Sequence, residues 1–253
     1  MQVTFLGTGT SQGVPVIACD CDVCKSLDFR DKRLRTSVHI EVDGLSLVID
    51  TGTDFRQQVL SNHITKLDAV LYTHEHKDHT GGMDEIRSFN WAQKKDMPLY
   101  ARRQVIDQLK REFHYAFAEI KYPGVPEVIP FEISNHVFEV EGLQITPIEG
   151  LHHKLPVFGF RIKDFSYITD MNFISDVEIE KLKGSKVLVV NALQKTEHLS
   201  HFTLQEALEL IEKVNPETAY LTHLSHKMGK HALVSKELPS NVKIAVDSQQ
   251  LFL

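Results

Sequence analysis

The sequence predicts an α/β (α+β) protein in which mixed sheets carry helices on their outer sides. Three observations predict it. Short β-rich runs alternate with helical stretches along the whole chain. Apolar runs meet at Asp43-Gly44 and at Glu141-Gly142, two-residue turns of the hairpin kind. Histidine- and aspartate-rich clusters follow apolar strands at once, as in sites built on loops over a rigid sheet. At 253 residues the chain can bury a core without disulfide staples. No repeat or linker interrupts it, so one domain over 1–253 is expected.

Taken in order, Val3 to Leu6 is a strand ending at Gly7. Val38 to Val42 and Leu45 to Ile49 form the first hairpin. Asp54 to Asn62 reads as a helix capped by Thr53 or Asp54. Ala69 to Tyr72 is an apolar strand, and Met83 to Gln93 is helical. Val105 to Phe117 reads as helical, although its aromatic residues blur the pattern. Residues 101–127, with Phe113, Tyr115, Phe117 and Tyr122, are the least readable; core, substrate lid and dimer contact all fit them. Val137 to Val140 and Leu143 to Ile148 form the second hairpin. Val157 to Ile162 and Phe165 to Ile168 are strands. Val187 to Val190 is apolar at every position, the mark of a buried strand. Thr203 to Val214 is an amphipathic helix, and Ala219 to Thr222 is a strand that ends at a histidine.

Lys and Arg number 28 against 34 Asp and Glu, a formal charge of −6. No global electrostatic case for nucleic-acid binding follows, because such domains usually carry a basic surface. The opening residues lack a basic region followed by an apolar run, and no apolar stretch approaches the ~20 residues of a membrane helix. A cytoplasmic location is the default expectation. All 3 cysteines lie in Cys19-Asp20-Cys21-Asp22-Val23-Cys24. An odd number in so short a span is a poor disulfide framework and suits thiolate metal ligation better. Free buried thiols remain the alternative.

The strongest motif is Thr73-His74-Glu75-His76-Lys77-Asp78-His79. Imidazole and carboxylate together suit zinc, manganese or iron. In an extended loop His74 and His76 point the same way and can share one ion. Asp78 and His79 lie past the turn and can serve a second.

This H-x-H-x-D-H segment after a strand resembles the metallo-β-lactamase superfamily. The resemblance implies a four-layer αββα sandwich with metals at one edge. Residue by residue it implies that His74, His76 and His152 hold one ion, that Asp78, His79 and His223 hold the other, and that Asp170 bridges them. Asp50, in Ile49-Asp50-Thr51-Gly52, matches the acidic residue beneath the site that orients ligands. His153 competes with His152 for the third place. Zinc and manganese both suit the pair. Two such ions carry four positive charges; Asp78, Asp170 and a bridging hydroxide leave about one, suited to a phosphodiester monoanion attacked by that hydroxide.

The opening Gly7-Thr8-Gly9-Thr10-Ser11-Gln12-Gly13-Val14-Pro15, followed by the cysteine cluster, narrows the resemblance to the PhnP-type branch, which is similar to phosphoribosyl 1,2-cyclic phosphate phosphodiesterases. The implied substrate is a small, cyclic phosphodiester. Cys19, Cys21, Cys24 and His226 would close one structural zinc site on a loop at about 13–30. His201 aligns with the branch's extra catalytic histidine and would donate a proton to the leaving alkoxide; His198 is its neighbour and competitor. Arg87 would meet a phosphate, or else pair with Asp84. A homodimer is expected by analogy.

Two other functions fit less well. A tRNA 3′-end endonuclease of the same superfamily shares the histidine loop, and the 94–111 stretch is locally basic, but no long basic arm is present. A non-catalytic metal-binding module is the other. A β-lactamase would commonly carry Cys in place of Asp170.

Overall fold

The computed structural model describes residues 1–253, and the chain divides into two compact units. The first comprises Met1–Gly7, Arg35–Ser134 and Ser248–Leu253; the second comprises Thr8–Leu34 and Asn135–Asp247.

The first unit holds a seven-stranded sheet. Strand β1 (Gln2–Gly7) pairs antiparallel with β2 (Ser37–Val42) and with the C-terminal strand Gln250–Phe252. The β2 strand turns into β3 (Leu45–Ile49) with Val42 opposite Leu45. Asp43 and Gly44 take φ of 52° and 80°, the left-handed pair that a two-residue turn of this twist requires. From β3 the sheet runs parallel through β4 (Ala69–Leu71), β5 (Met97–Ala101) and β6 (Val128–Glu132). Its helices are α1 (Phe55–Ser61), α2 (Lys77–Thr80), α3 (Arg87–Gln93) and α4 (Arg103–Glu112). Val48, Phe55, Val70, Ile86, Phe89, Leu99 and Leu109 meet in the core.

Several expectations shift here. The Met83 to Gln93 stretch is a 3-10 turn over Met83–Ile86 running into α3. The segment to Phe117 ends its α-helix at Glu112 and finishes as a 3-10 turn, His114–Ala116. Phe113 and Ala116 are buried there, whereas Tyr122 is exposed, so the aromatic run divides between core and surface. Asp54 is the N-cap residue of α1, yet its side chain caps nothing. Its carboxylate accepts instead from the Arg35 backbone N–H and guanidinium, each at 2.8 Å.

The second unit holds the other sheet. The β7 strand (Phe138–Val140) pairs with β8 (Leu143–His152), and β8 turns into β9 (Leu155–Ile162). Then come β10 (Phe165–Ile168), the short β11 (Phe173–Ile174), β12 (Val187–Asn191), β13 (Thr218–Thr222) and β14 (Val242–Ile244). The β10, β12, β13 and β14 strands are parallel neighbours in that order. Helices α5 (Asp176–Leu182), α6 (Leu204–Val214) and α7 (His231–Val234) complete it. Leu204, Ala207, Leu210, Ile211 and Val214 form the apolar stripe of α6 and enter this unit's core. Thr203 caps α6 in a capping box: its hydroxyl accepts from Glu206 N–H, and the Glu206 carboxylate accepts from Thr203 N–H at 2.8 Å.

Parallel register explains where the polar clusters stand. In the first unit Ile49 faces Leu71, so Asp50 and the segment after Leu71 leave the sheet at one carboxyl edge. In the second, Ile168 faces Val190 and Val190 faces Leu221. Asp170 and His223 therefore emerge side by side at the carboxyl ends of their strands.

Candidate metal centre

In the first unit the His74–His79 segment leaves β4 as a loop and closes into α2. His74 and His79 are fully buried, and His76 is exposed. The rings of His74 and His76 lie 4.6 Å apart, and those of His74 and His79 4.2 Å. His79 Nε2 lies 3.3 Å from Asp78 Oδ2. Gly52 makes this packing possible, because a Cβ there would overlap the backbone carbonyl of Asp78.

Asp50 is fully buried beneath these residues. Thr73 N–H donates to its Oδ1 at 2.9 Å, Thr73 O–H to its Oδ2 at 2.8 Å, and His79 Nδ1 to Oδ2 at 2.7 Å. Burial pushes the Asp50 carboxyl upward, while His79 and the Thr73 hydrogen bonds oppose that rise. Since the Thr73 hydroxyl spends its proton on Asp50, it accepts from His74 Nδ1 at 3.0 Å. Thr73 therefore orients both a carboxylate and an imidazole. It stands inside the motif, but its role was not legible there.

In the second unit the two histidines of the doublet differ in burial. His152 ends β8 and is 8% exposed. His153 lies in the turn with φ of 56° and is exposed. His152 Nδ1 donates to the Ser200 carbonyl at 2.8 Å. Asp170 and His223 are buried, with left-handed φ of 58° and 56°; Asp50 shares this trait at 66°. Non-glycine residues held in this region cluster at functional sites. His223 Nε2 lies 3.1 Å from Asp170 Oδ1, and His201 Nδ1 lies 4.0 Å from Asp170 Oδ2. The His201 ring stacks on His223 at 4.8 Å and lies 4.6 Å from His152. Burial holds the His201 imidazole down to about 3, with the Asp170 charge pulling the other way. His198 is exposed, its ring 5.2 Å from that of His201.

Asn191 was missed by the sequence reading. Its amide accepts from Met171 N–H and donates to Met171 O, both at 2.9 Å. It thereby fixes the backbone that follows Asp170. A single polar residue ending the apolar run Val187-Leu188-Val189-Val190 was the available signal.

The donor sets in both units fit divalent cations. They are imidazoles and carboxylates, the ligand types of zinc and manganese. His74, His79 and His152 each engage Nδ1 with Thr73, Asp50 or Ser200. A histidine whose Nδ1 is engaged in this way would bind an ion through Nε2.

A third group lies wholly in the second unit. Cys19, Cys21 and Cys24 place their Sγ atoms 3.2, 3.4 and 3.5 Å from the same atom, Nδ1 of His226. One ring nitrogen makes one hydrogen bond, so hydrogen bonding does not account for three sulfurs around it. Arg87, the candidate phosphate contact, has Nη1 2.8 Å from Asp84 Oδ2. Asp84 in turn accepts from Tyr115 O–H at 2.7 Å. The guanidinium is thus engaged on its own helix surface.

Two sheets with helices, and histidine–aspartate clusters at strand ends, define the metallo-β-lactamase fold class. A Beta-lactamase superfamily domain model matches residues 46–224. A crystal structure of a diphosphatase from the PhnP family is similar over 100% of this chain and 97% of its own, with 36% identity and a TM-score of 0.93. The chain belongs to the β-lactamase superfamily, and its type is that of the PhnP family. An octanoyltransferase of Porphyromonas gingivalis is 38% identical over 256 residues, covering 100% of this chain and 52% of the relative. A Ribonuclease Z of Staphylococcus saprophyticus is 24% identical over 172 residues, 64% of this chain and 49% of the relative. The chain thus spans about half the length of these curated relatives. No helix is long and apolar enough to cross a membrane.

Proposed function

We propose that the chain is a phosphodiesterase that works with two divalent ions on a small phosphodiester, of the cyclic kind. His74, His76 and His152 would hold one ion, and Asp78, His79 and His223 the other. Asp170 would serve both, and Asp50 would orient His79 from below. The observation that carries this reading is the gathering of His152, His201 and His223 around the buried carboxylate of Asp170: a ligand atom of His152 and one of His201 lie within 4.8 Å of it, and His223 Nε2 lies 3.1 Å from Oδ1.

When bound, the ions supply positive charge for a phosphoryl oxygen and lower the pKa of a coordinated water. The chain's residues do the rest. Asp50 and Thr73 hold the His79 and His74 rings in one orientation. Asn191 fixes the turn that carries Asp170. His201 would protonate the departing oxygen. Burial works against its charged form, and a phosphate anion seated beside it would work for that form.

For the cysteine group we propose one structural zinc. With Zn–S of ~2.3 Å and Zn–N of ~2.0–2.1 Å, tetrahedral angles place sulfur and nitrogen about 3.5 Å apart. The three Sγ–Nδ1 separations of 3.2 to 3.5 Å agree with that spacing.

The deciding experiment is a substrate screen of the metal-reconstituted protein on cyclic phosphates, linear diesters, bis-aryl phosphates and precursor tRNA at varied salt. Preference for a cyclic diester supports the reading, and turnover of precursor tRNA alone replaces it with the nuclease. Within the diesters, His201→Ala should slow substrates with poor leaving groups most. Equal slowing of aryl and alkyl diesters would remove the general-acid role.

A further inference from the structure

Residues 223–226 join a proposed catalytic ligand, His223, to a proposed zinc ligand, His226, across Leu224 and Ser225. Leu224 is buried and forms a parallel bridge with Gly9. Its N–H donates to Thr8 O at 2.9 Å, and its carbonyl accepts from Thr10 N–H at 3.1 Å. The Thr8–Thr10 segment is therefore the backbone mould against which the His223–His226 link is set. Gly9 presses so closely on its other neighbours that a Cβ would stand 2.9 Å from Arg33 Cβ and 3.0 Å from the Leu34 carbonyl oxygen.

Arg33 holds that mould. It is 7% exposed, so its charge is expensive to bury unless every donor is used. Nη1 donates to Thr8 Oγ1 and to Ala245 O, both at 2.7 Å, and Nη2 lies 3.4 Å from His231 Nδ1. The Thr8 hydroxyl passes its own proton to Asp247 Oδ1 at 2.6 Å, while Asp247 Oδ2 accepts from Leu34 N–H at 2.6 Å. Arg33 also forms both backbone hydrogen bonds with Val14, at 2.7 and 2.8 Å. Those bonds close the base of the loop that carries Cys19, Cys21 and Cys24. Arg33 thus ties the cysteine loop, through its backbone, to the Thr8–Thr10 segment that seats Leu224, through its side chain.

We infer that Arg33, acting through Thr8 and Asp247, is a positioning residue for His223 and His226 together, so that the thiolate site and the ion held by His223 are coupled. This rests on the reading of His223 as a ligand. Coupling between two sites is reciprocal: whatever factor zinc at the cysteines adds to the affinity of the second ion, that ion returns. A buried lock of this kind should be worth about 10- to 100-fold in metal affinity, the range found for partners that orient ligands.

The test uses Co²⁺ as probe on the full chain, because sulfur-to-cobalt charge transfer separates the thiolate site from a nitrogen–oxygen site. The variants are Thr8→Val, which removes only the bridging hydroxyl, Asp247→Asn, and His223→Ala as reference. Folding is checked by near-UV circular dichroism. The expected result is a weakening of Co²⁺ at the nitrogen–oxygen site by roughly 10-fold or more in folded Thr8→Val, with the site's visible spectrum altered. If His223→Ala weakens that site and neither folded lock variant does, the coupling is wrong and the ligand assignment stands. If His223→Ala itself leaves Co²⁺ binding unchanged, the ligand assignment fails and takes the coupling with it.

Discussion

Asp50 Oδ2 lies 2.7 Å from His79 Nδ1, and neither side chain exposes any surface. The same oxygen accepts from the Thr73 hydroxyl, so one buried carboxylate holds both ends of the histidine motif. Asp50→Ala should weaken metal binding by about 10- to 100-fold while the sheet stays folded. Asp50→Asn, which keeps an acceptor, should lose less. Titration with Zn²⁺ against a competing chelator checks both.

Gly52 is required for a different reason. A methyl group there would overlap the carbonyl oxygen of Asp78, and both partners are backbone or backbone-anchored. Gly52→Ala should cost about 1–3 kcal/mol, the usual price of overpacking, and should displace Asp78. Melting temperature and metal stoichiometry are expected to fall together. A variant with a wild-type metal content would show that the motif tolerates the shift.

The pH dependence of stability should carry a signature of His39. This residue is 4% exposed, and burial lowers its pKa to about 4 from an ordinary 6.5. Its Nε2 donates to Ser46 Oγ at 2.7 Å, since the Ser46 hydroxyl gives its own proton to Lys66 O. Above pH ~6.5 both folded and unfolded forms are neutral there, so the native state pays nothing. As pH falls toward 4, the unfolded chain gains a proton that the folded chain refuses, and roughly 3 kcal/mol is lost. Asp247 acts in the opposite direction over part of this range, because burial raises it to about 6; the folded form then binds its proton first. His39→Gln, which keeps a donor to Ser46, should isolate the histidine contribution. Urea melts at pH 7 and pH 5 should show a smaller difference for the variant than for the parent, and equal differences would refute the assignment.

Cys21→Ser removes one of three sulfurs gathered on His226. The variant should bind one equivalent of zinc fewer and melt at a lower temperature. Unchanged melting with a full zinc complement would reject the structural site.

Much of the fold was legible because period and turn chemistry agree. The Asp43-Gly44 hairpin closes where two positive-φ residues stand, and α6 shows its stripe and its cap in sequence. The strands β5 and β6 were hidden by Pro98 and Pro130, which argue against a sheet interior. They are tolerated because β4 pairs with β5 only from Leu99 onward, and because β6 is the edge. Helix α5 went unread for want of a long period, although Ser175 caps it. Among site residues the ligand types were visible as motifs. Thr73, Asn191 and the Ser200 carbonyl were not, since a hydrogen bond to a ligand leaves no spacing in the sequence. The Arg33 lock was equally silent: its partners Thr8, Ala245, His231 and Asp247 are brought together only by the fold.

The most direct measurement is anomalous X-ray scattering from crystals grown in excess Mn²⁺ and Zn²⁺, collected at both absorption edges. The account predicts two peaks about 3.5–4 Å apart with the Asp170 carboxylate touching both, and a third among Cys19, Cys21, Cys24 and His226. Empty density at Asp170, or a carboxylate turned away from the ions, would contradict it.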